Sequence, residues 1–152
     1  MKQILEAMDS NVKSYAYKLL SKKDYFKEEL KNKLLRKGFE ESQVEEVINH
    51  LESQGLLNDE KLKERYKEVY INKGKSYLKL RNSLYRKGIT EVELSEDEEL
   101  KSALNLLKKS FKKEKTFENM VKFLKNRGFR YSVIKKAVEI MLKEEEWLKS
   151  YT

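Results

Sequence analysis

Three times in 152 residues the chain writes a leucine, a basic residue three positions on, then a glycine and a large apolar residue: "LLRKGF" at 34–39, "LYRKGI" at 84–89 and "LKNRGF" at 124–129. Aligned on Gly38, Gly88 and Gly128, the match runs well beyond those six letters. Four positions before the glycine stand Leu34, Leu84 and Leu124, and eight before stand Leu30, Leu80 and Met120. One position after stand Phe39, Ile89 and Phe129, and six after stand Val44, Leu94 and Ile134. A spacing of four marks one face of a helix. A glycine closing that face is a helix stop in the left-handed region, which a residue without Cβ enters freely. The preceding Lys37, Lys87 or Arg127 complements the dipole of the helix it ends. The motif is therefore a helix terminator used three times, and the chain is an internal repeat of helical units.

Helix starts agree with that reading. Ser76 and Thr116 each stand twelve residues before their glycine and are expected to cap the middle helix of their repeat. Repeat 1 has Phe26 in that column, so Asp24 is the expected cap there. Thr90 with Glu93, and Ser95 with Glu98, read as capping boxes, and Asn58 as a further cap. First helices are expected over roughly 12–21, 59–72 and 97–113, and third helices over about 42–54, near 91–94 and over 131–148. The predicted fold class is all-α: three tandem three-helix, helix-turn-helix-like repeats over 1–57 (with a short N-terminal lead), 58–96 and 97–152. Units this small barely bury enough surface to fold alone, so they should lean on one another in an elongated, curved molecule. Tyr15, Tyr17, Tyr66, Tyr70, Tyr77 and Tyr85 are expected to fill thin cores with their rings while their hydroxyls stay wet.

Composition supports thin cores: charged residues make up 39% and apolar ones also 39%. With no proline and five glycines, helices can run from cap to cap. The chain has no cysteine, which removes disulfides, thiolate nucleophiles and zinc–thiolate sites. No apolar run approaches a membrane span, and "MKQILEAMDS" lacks a secretory apolar region, so a cytoplasmic protein with no membrane partner is expected. The net charge of +8 is uneven: residues 101–152 carry 14 Lys+Arg against 6 Asp+Glu, while the two preceding segments balance. Within 73–87 stand six cations (Lys73, Lys75, Lys79, Arg81, Arg86, Lys87) and no anion. Local basic faces of this kind suit polyanions or acidic protein surfaces; a solvated Lys/Glu-rich exterior is the plainer alternative.

Catalytic chemistry finds little footing. The only histidine, His50, lies four residues after Glu46, a metal pair without a third ligand. Ser53 near His50 lacks an orienting third group. Carboxylates sit in charged surroundings such as "FEESQVEE", where pKa values are not driven upward by an apolar environment. "NKGKS" at 72–76 lacks the spacing of a phosphate-cradling loop. Neither an enzyme nor a cofactor or metal is expected.

Binding carries the signal. Besides the six cations of repeat 2, repeat 3 has Lys108, Lys109, Lys112, Lys113 and Lys115, then Lys122, Lys125, Arg127 and Arg130. Three short helices with a basic one resemble a helix-turn-helix, whose second helix enters the major groove. Yet these cations are mostly Lys and fall late in their helices, which suits phosphates and acidic side chains better than base edges. Any contact with single- or double-stranded DNA should be weakly specific and salt-sensitive.

The stretch "GLLNDEKLKERYKEVYINKGKSYLKLRNSLYRKGI" (55–89) resembles the central signature of the RecX family of recombination regulators. Gly55, Leu57, Asp59, Arg65, Tyr66, Lys73, Gly74, Arg81, Leu84, Lys87, Gly88 and Ile89 stand in matching places. The flanks "AYKLLSKKDYFKEELKNKLLRKGF" (16–39) and "VKFLKNRGFRYSVIKKAVE" (121–139) are similar too. The resemblance implies tandem three-helix modules in a cytoplasmic bacterial protein that is not an enzyme. It also implies binding to the RecA recombinase along the groove of its filament on DNA, with damping of RecA ATPase and strand exchange. Phe26, in place of a Ser-like cap, and the unusually acidic third helix expected for repeat 2, near 91–94, depart from the family pattern. On this reading the contacts are Lys73, Lys75, Arg81, Arg86 and Lys87, then Arg127 and Arg130, and the chain acts as a monomer. The structural alternative for Arg81 and Arg65 is ion pairing with the acidic helices. Two rivals are a DNA-binding helix-turn-helix-like module acting without RecA, and an all-helical scaffold for another acidic protein.

Overall fold

A computed structural model describes residues 2–151. Among these residues there are eight α-helices and no strand: α1 (Lys2–Lys22), α2 (Lys27–Lys37), α3 (Glu41–Ser53), α4 (Asp59–Asn72), α5 (Tyr77–Tyr85), α6 (Glu96–Ser110), α7 (Phe117–Asn126) and α8 (Tyr131–Ser150). They gather into two compact units, one ending at Glu64 and the other beginning at Arg65.

In the first unit α3 packs on both α1 and α2. The core between them holds Val12, Ala16, Leu30, Leu34, Val44, Ile48 and Leu51. The second unit has its main core where α8 meets α6 and α7, around Ala103, Leu107, Met120, Leu124, Ile134 and Val138. The repeat columns hold throughout. Leu30, Leu80 and Met120 are fully buried, as are Leu34, Leu84 and Leu124, and Val44, Leu94 and Ile134 lie at most 4% exposed.

The three glycines close their helices alike. Gly38, Gly88 and Gly128 have φ of 106°, 86° and 85°. The following N–H of Phe39, Ile89 and Phe129 donates to the carbonyl of Leu34, Leu84 and Leu124 at 3.4, 3.0 and 3.4 Å. This back-bond satisfies a carbonyl that the helix end would otherwise leave open, and it needs the left-handed residue in between.

The expected caps at Ser76, Thr116 and Asn58 accept from Lys79, Asn119 and Lys61, and Ser95 forms a full capping box with Glu98. Two local expectations fail. Phe26, not Asp24, holds the cap position of α2, and its N–H goes to Glu29 at 3.3 Å. The next N–H, that of Lys27, goes to the Asp59 carboxylate at 2.9 Å, a partner 32 residues away. The short helix expected near 91–94 is absent, so Thr90 has no helix to cap. Residues 89–95 form no helix, with Val92 and Leu94 buried and Glu91, Glu93 and Ser95 exposed. That alternation is the period of an extended chain. Helix α1 also starts earlier than expected, at Lys2, through residues with no helix breaker among them.

Candidate functional site

The carbonyl end of α4 and the turn that leads to α5 are held by one face of α6. Asn105 Nδ2 donates to the Ile71 carbonyl at 3.1 Å and Lys109 Nζ to that of Asn72 at 2.9 Å, while the buried Ser102 hydroxyl donates to that of Lys75. Spacings of three and four along α6 put these donors on one stripe. Gly74 sits directly against α6: a Cβ there would lie 2.7 Å from Leu106 Cβ. The segment carrying Lys73 and Lys75 is thereby fixed, with Lys73 exposed and Lys75 half-buried.

Helix α5 turns Leu80 and Leu84 inward and leaves two exposed stripes. Leu78, Arg81 and Tyr85 form one, at i, i+3 and i+7; Lys79, Asn82 and Arg86 form the other at the same spacing. Tyr85 is 68% exposed. Among the described residues neither Arg81 nor Arg86 forms an ion pair, so both guanidiniums face solvent. Lys87 is different: it is half-buried, with Nζ 5.9 Å from the Tyr66 ring centroid.

Arg127 and Arg130 flank the Gly128 turn, and that turn rests on the start of α5. A Cβ on Gly128 would come within 3.3 Å of Leu78 Cδ2 and 3.5 Å of Ser76 Oγ. Both arginines are already engaged. Arg127 stacks on Phe123, with Cζ 3.6 Å from the ring centroid and Nη1 donating to the Phe123 carbonyl at 3.1 Å. Arg130 Nε donates to Glu99 at 2.6 Å, its Nη2 to the Leu94 carbonyl at 2.7 Å, and its backbone N–H to the second Glu99 oxygen at 3.0 Å. Glu99 is fully buried, so this pair locks the start of α8 to the first turn of α6 and to the extended segment.

Of the seven expected contacts, then, Lys73, Arg81 and Arg86 are presented to solvent, while Lys75, Lys87, Arg127 and Arg130 are partly covered. Tyr85 is the residue that sequence reasoning assigned to a core and the fold exposes; Tyr17, 40% exposed, is another. The signal for Tyr85 lay in its register. It stands three before its glycine, off the column at four that faces inward, and Lys125 occupies the same place in repeat 3. Around His50, the Ser53 hydroxyl donates to the His50 backbone carbonyl at 2.7 Å. No cluster of three or more His, Cys, Asp or Glu side chains that could hold a metal ion occurs among the described residues. None of the helices there is long and apolar enough to cross a membrane.

The model of the first three-helix domain of RecX matches residues 13–51, which lie within α1–α3. The Regulatory protein RecX of Clostridioides difficile is 30% identical over an alignment covering 97% of this chain and 76% of its own length. The chain belongs to the RecX family. The RecX of Clostridium perfringens is 32% identical over 88% of this chain and 69% of its own, and that of Legionella pneumophila 31% over 80% and 88%. The crystal structure of RecX from Lactobacillus salivarius superposes with a TM-score of 0.73, covering 88% of this chain and 96% of that one. At 21% identity this last match speaks for a shared RecX fold. The relatives are named regulatory proteins, and the all-helical, repeat-based architecture expected from the glycine motif is the one this RecX chain adopts.

Proposed function

We propose that this RecX chain is a cytoplasmic, non-enzymatic regulator of RecA that acts as a monomer, lying along the groove of the RecA–DNA filament and damping ATPase and strand exchange. Three consecutive repeats, 1–57, 58–96 and 97–152, supply successive contacts, each weak alone and summed through effective concentration. The observation that carries the reading is family membership joined to the free guanidinium pair on α5. Arg81 and Arg86 flank exposed Tyr85 on a helix whose neighbourhood from Lys73 to Lys87 contains no carboxylate. An exposed tyrosine between arginines is the residue pairing enriched where protein surfaces meet. Bound in the groove, the chain shifts filament subunits toward a less active arrangement by binding that arrangement better.

The test is RecA ATPase on single-stranded DNA, titrated with this protein and with Arg81→Glu/Arg86→Glu. Lys87 and Arg130 are left in place, since both hold other parts of the chain and their loss would confuse folding with binding. The double variant is expected to need about tenfold more protein for half-inhibition, the equivalent of ~1.4 kcal/mol of contact. Equal potency of the two proteins would reject the α5 surface. Tight, sequence-selective DNA binding with no effect on RecA would replace the reading by a DNA-binding module acting without RecA.

A further inference from the structure

Where α6 ends and α7 begins, the second unit opens a cleft of about 360 Å³ lined by Phe111, Lys112, Lys113, Lys122, Phe123 and Arg127, with Asn126 at its side. That volume is at the lower end for small-ligand sites, enough for a group of nucleotide size. The lining contains four cations and no carboxylate. Glu144 pairs with Lys108 at 3.9 Å and Glu145 with Lys115 at 2.8 Å, while Glu114 and Glu118, beside the cleft in sequence, are exposed and stand outside its lining. Lys112, Lys113 and Lys122 are exposed and have no ion pair among the described residues. With Arg127 they put four cations in a lining that holds no carboxylate of its own, a charge that an anionic ligand would offset.

The floor is aromatic. Phe111 and Phe123 meet edge to face at 5.2 Å, and the Arg127 guanidinium sits over the Phe123 ring, its Cζ 3.6 Å from the centroid. Its bond to the Phe123 carbonyl fixes that plane before any ligand arrives. A guanidinium with one face on a phenyl ring has its other face left for a planar group. Cations at the rim and a planar platform within are the two parts from which single-strand nucleic-acid sites are built. An acidic peptide would use the lysines but not the platform. We propose that this cleft is a nucleotide subsite for single-stranded DNA: Lys112, Lys113 and Lys122 take backbone phosphates and the Arg127–Phe123 stack takes a base. The site needs no RecA, so it stands or falls separately from the filament reading.

Fluorescence anisotropy with a labelled oligo-dT, in the absence of RecA, tests it. Three further ligands compete: an abasic strand of the same length, a duplex containing the same strand, and poly-glutamate of matched charge. The full-length protein should bind oligo-dT at low salt and lose about tenfold in affinity on Lys113→Ala/Lys122→Ala. The slope of log K against log salt should fall by roughly 0.7 for each phosphate contact removed. The abasic strand, the duplex and poly-glutamate should each compete at least fivefold more weakly than oligo-dT. A control pair in the first unit, Lys18→Ala/Lys61→Ala, removes the same charge and should change affinity less than twofold. Circular dichroism checks that both variants fold. Equal losses in the two variants, or equal competition by any of the three ligands, would overturn the proposal.

Discussion

At the residue scale, glycines that look alike in sequence do different work. Gly38 and Gly74 both have positive φ, 106° and 72°. Around Gly38 a Cβ would meet nothing within 4 Å, whereas at Gly74 it would run into the Leu106 backbone and side chain at 2.7–3.1 Å. Gly38→Ala should therefore cost only the left-handed conformation, about 1 kcal/mol. Gly74→Ala adds overpacking against α6, about 1–3 kcal/mol more. Urea unfolding of the two variants measures the difference, and similar midpoints would mean that α6 yields to the added methyl. Arginines divide in the same way. Arg81 and Arg130 are one residue type in similarly basic stretches, but Arg130 has a buried carboxylate waiting for it and Arg81 has none. Nothing near either residue in sequence announces this, because Glu99 lies 31 positions before Arg130.

At the scale of elements, several helix starts are written within one turn of themselves, as at Ser76, Ser95 and Thr116, where a hydroxyl accepts from a backbone N–H three residues on. The start of α6 is also tied to α8. The Ser132 hydroxyl donates to Glu96 at 2.7 Å, and Lys136 stands 3.7 Å from its other oxygen. The hydrogen bond from Ser132, partly opposed by loss of hydration and reinforced by Lys136 and Arg130, holds the Glu96 carboxyl below its ordinary value of 4.5. Glu145 is lowered likewise, first by its bond from Lys115. A carboxyl lowered on folding stabilises the fold at pH above its unfolded value, and that contribution is lost as pH falls through the folded one. The Tm of the protein should thus drop as pH falls below about 4.5, and Glu96→Gln/Glu145→Gln should drop less over the same range. Parallel Tm–pH curves for the two proteins would show that these contacts have no weight in acid unfolding. The segment 89–95 shows the opposite case, an element misjudged from sequence. Glu-Val-Glu-Leu-Ser alternates strictly, and the fold reads that alternation as extended chain. Tyr77 donates to the Val92 carbonyl at 2.9 Å and Arg130 to that of Leu94, contacts that occupy carbonyls a helix would have used itself.

For the whole molecule the governing quantity is charge. The net +8 resides in residues 101–152, and the free cations of α5 add a second basic face in the same unit. Binding that relies on such exposed cations is screened by salt. On the proposed reading, half-inhibition of RecA ATPase should therefore need several-fold more of this protein at 200 mM than at 50 mM NaCl. A half-inhibition point unmoved by salt would place the recognition in apolar contacts instead. Much of the architecture was legible beforehand because its causes are local. The Leu–Gly–apolar stops, the buried columns at four and eight before each glycine, and the hydroxyl caps each need only residues within two helical turns. By itself the sequence determined that the chain is all-helical, where many of its helices begin and end, and which faces turn inward. The tertiary structure alone decided that Asp59 closes α2, that Ser102, Asn105 and Lys109 hold the end of α4, and that Glu99 claims Arg130 while Arg81 and Arg86 stay free. Those contacts join positions 27 to 37 residues apart, where no periodicity reaches and only packing brings a donor to its acceptor.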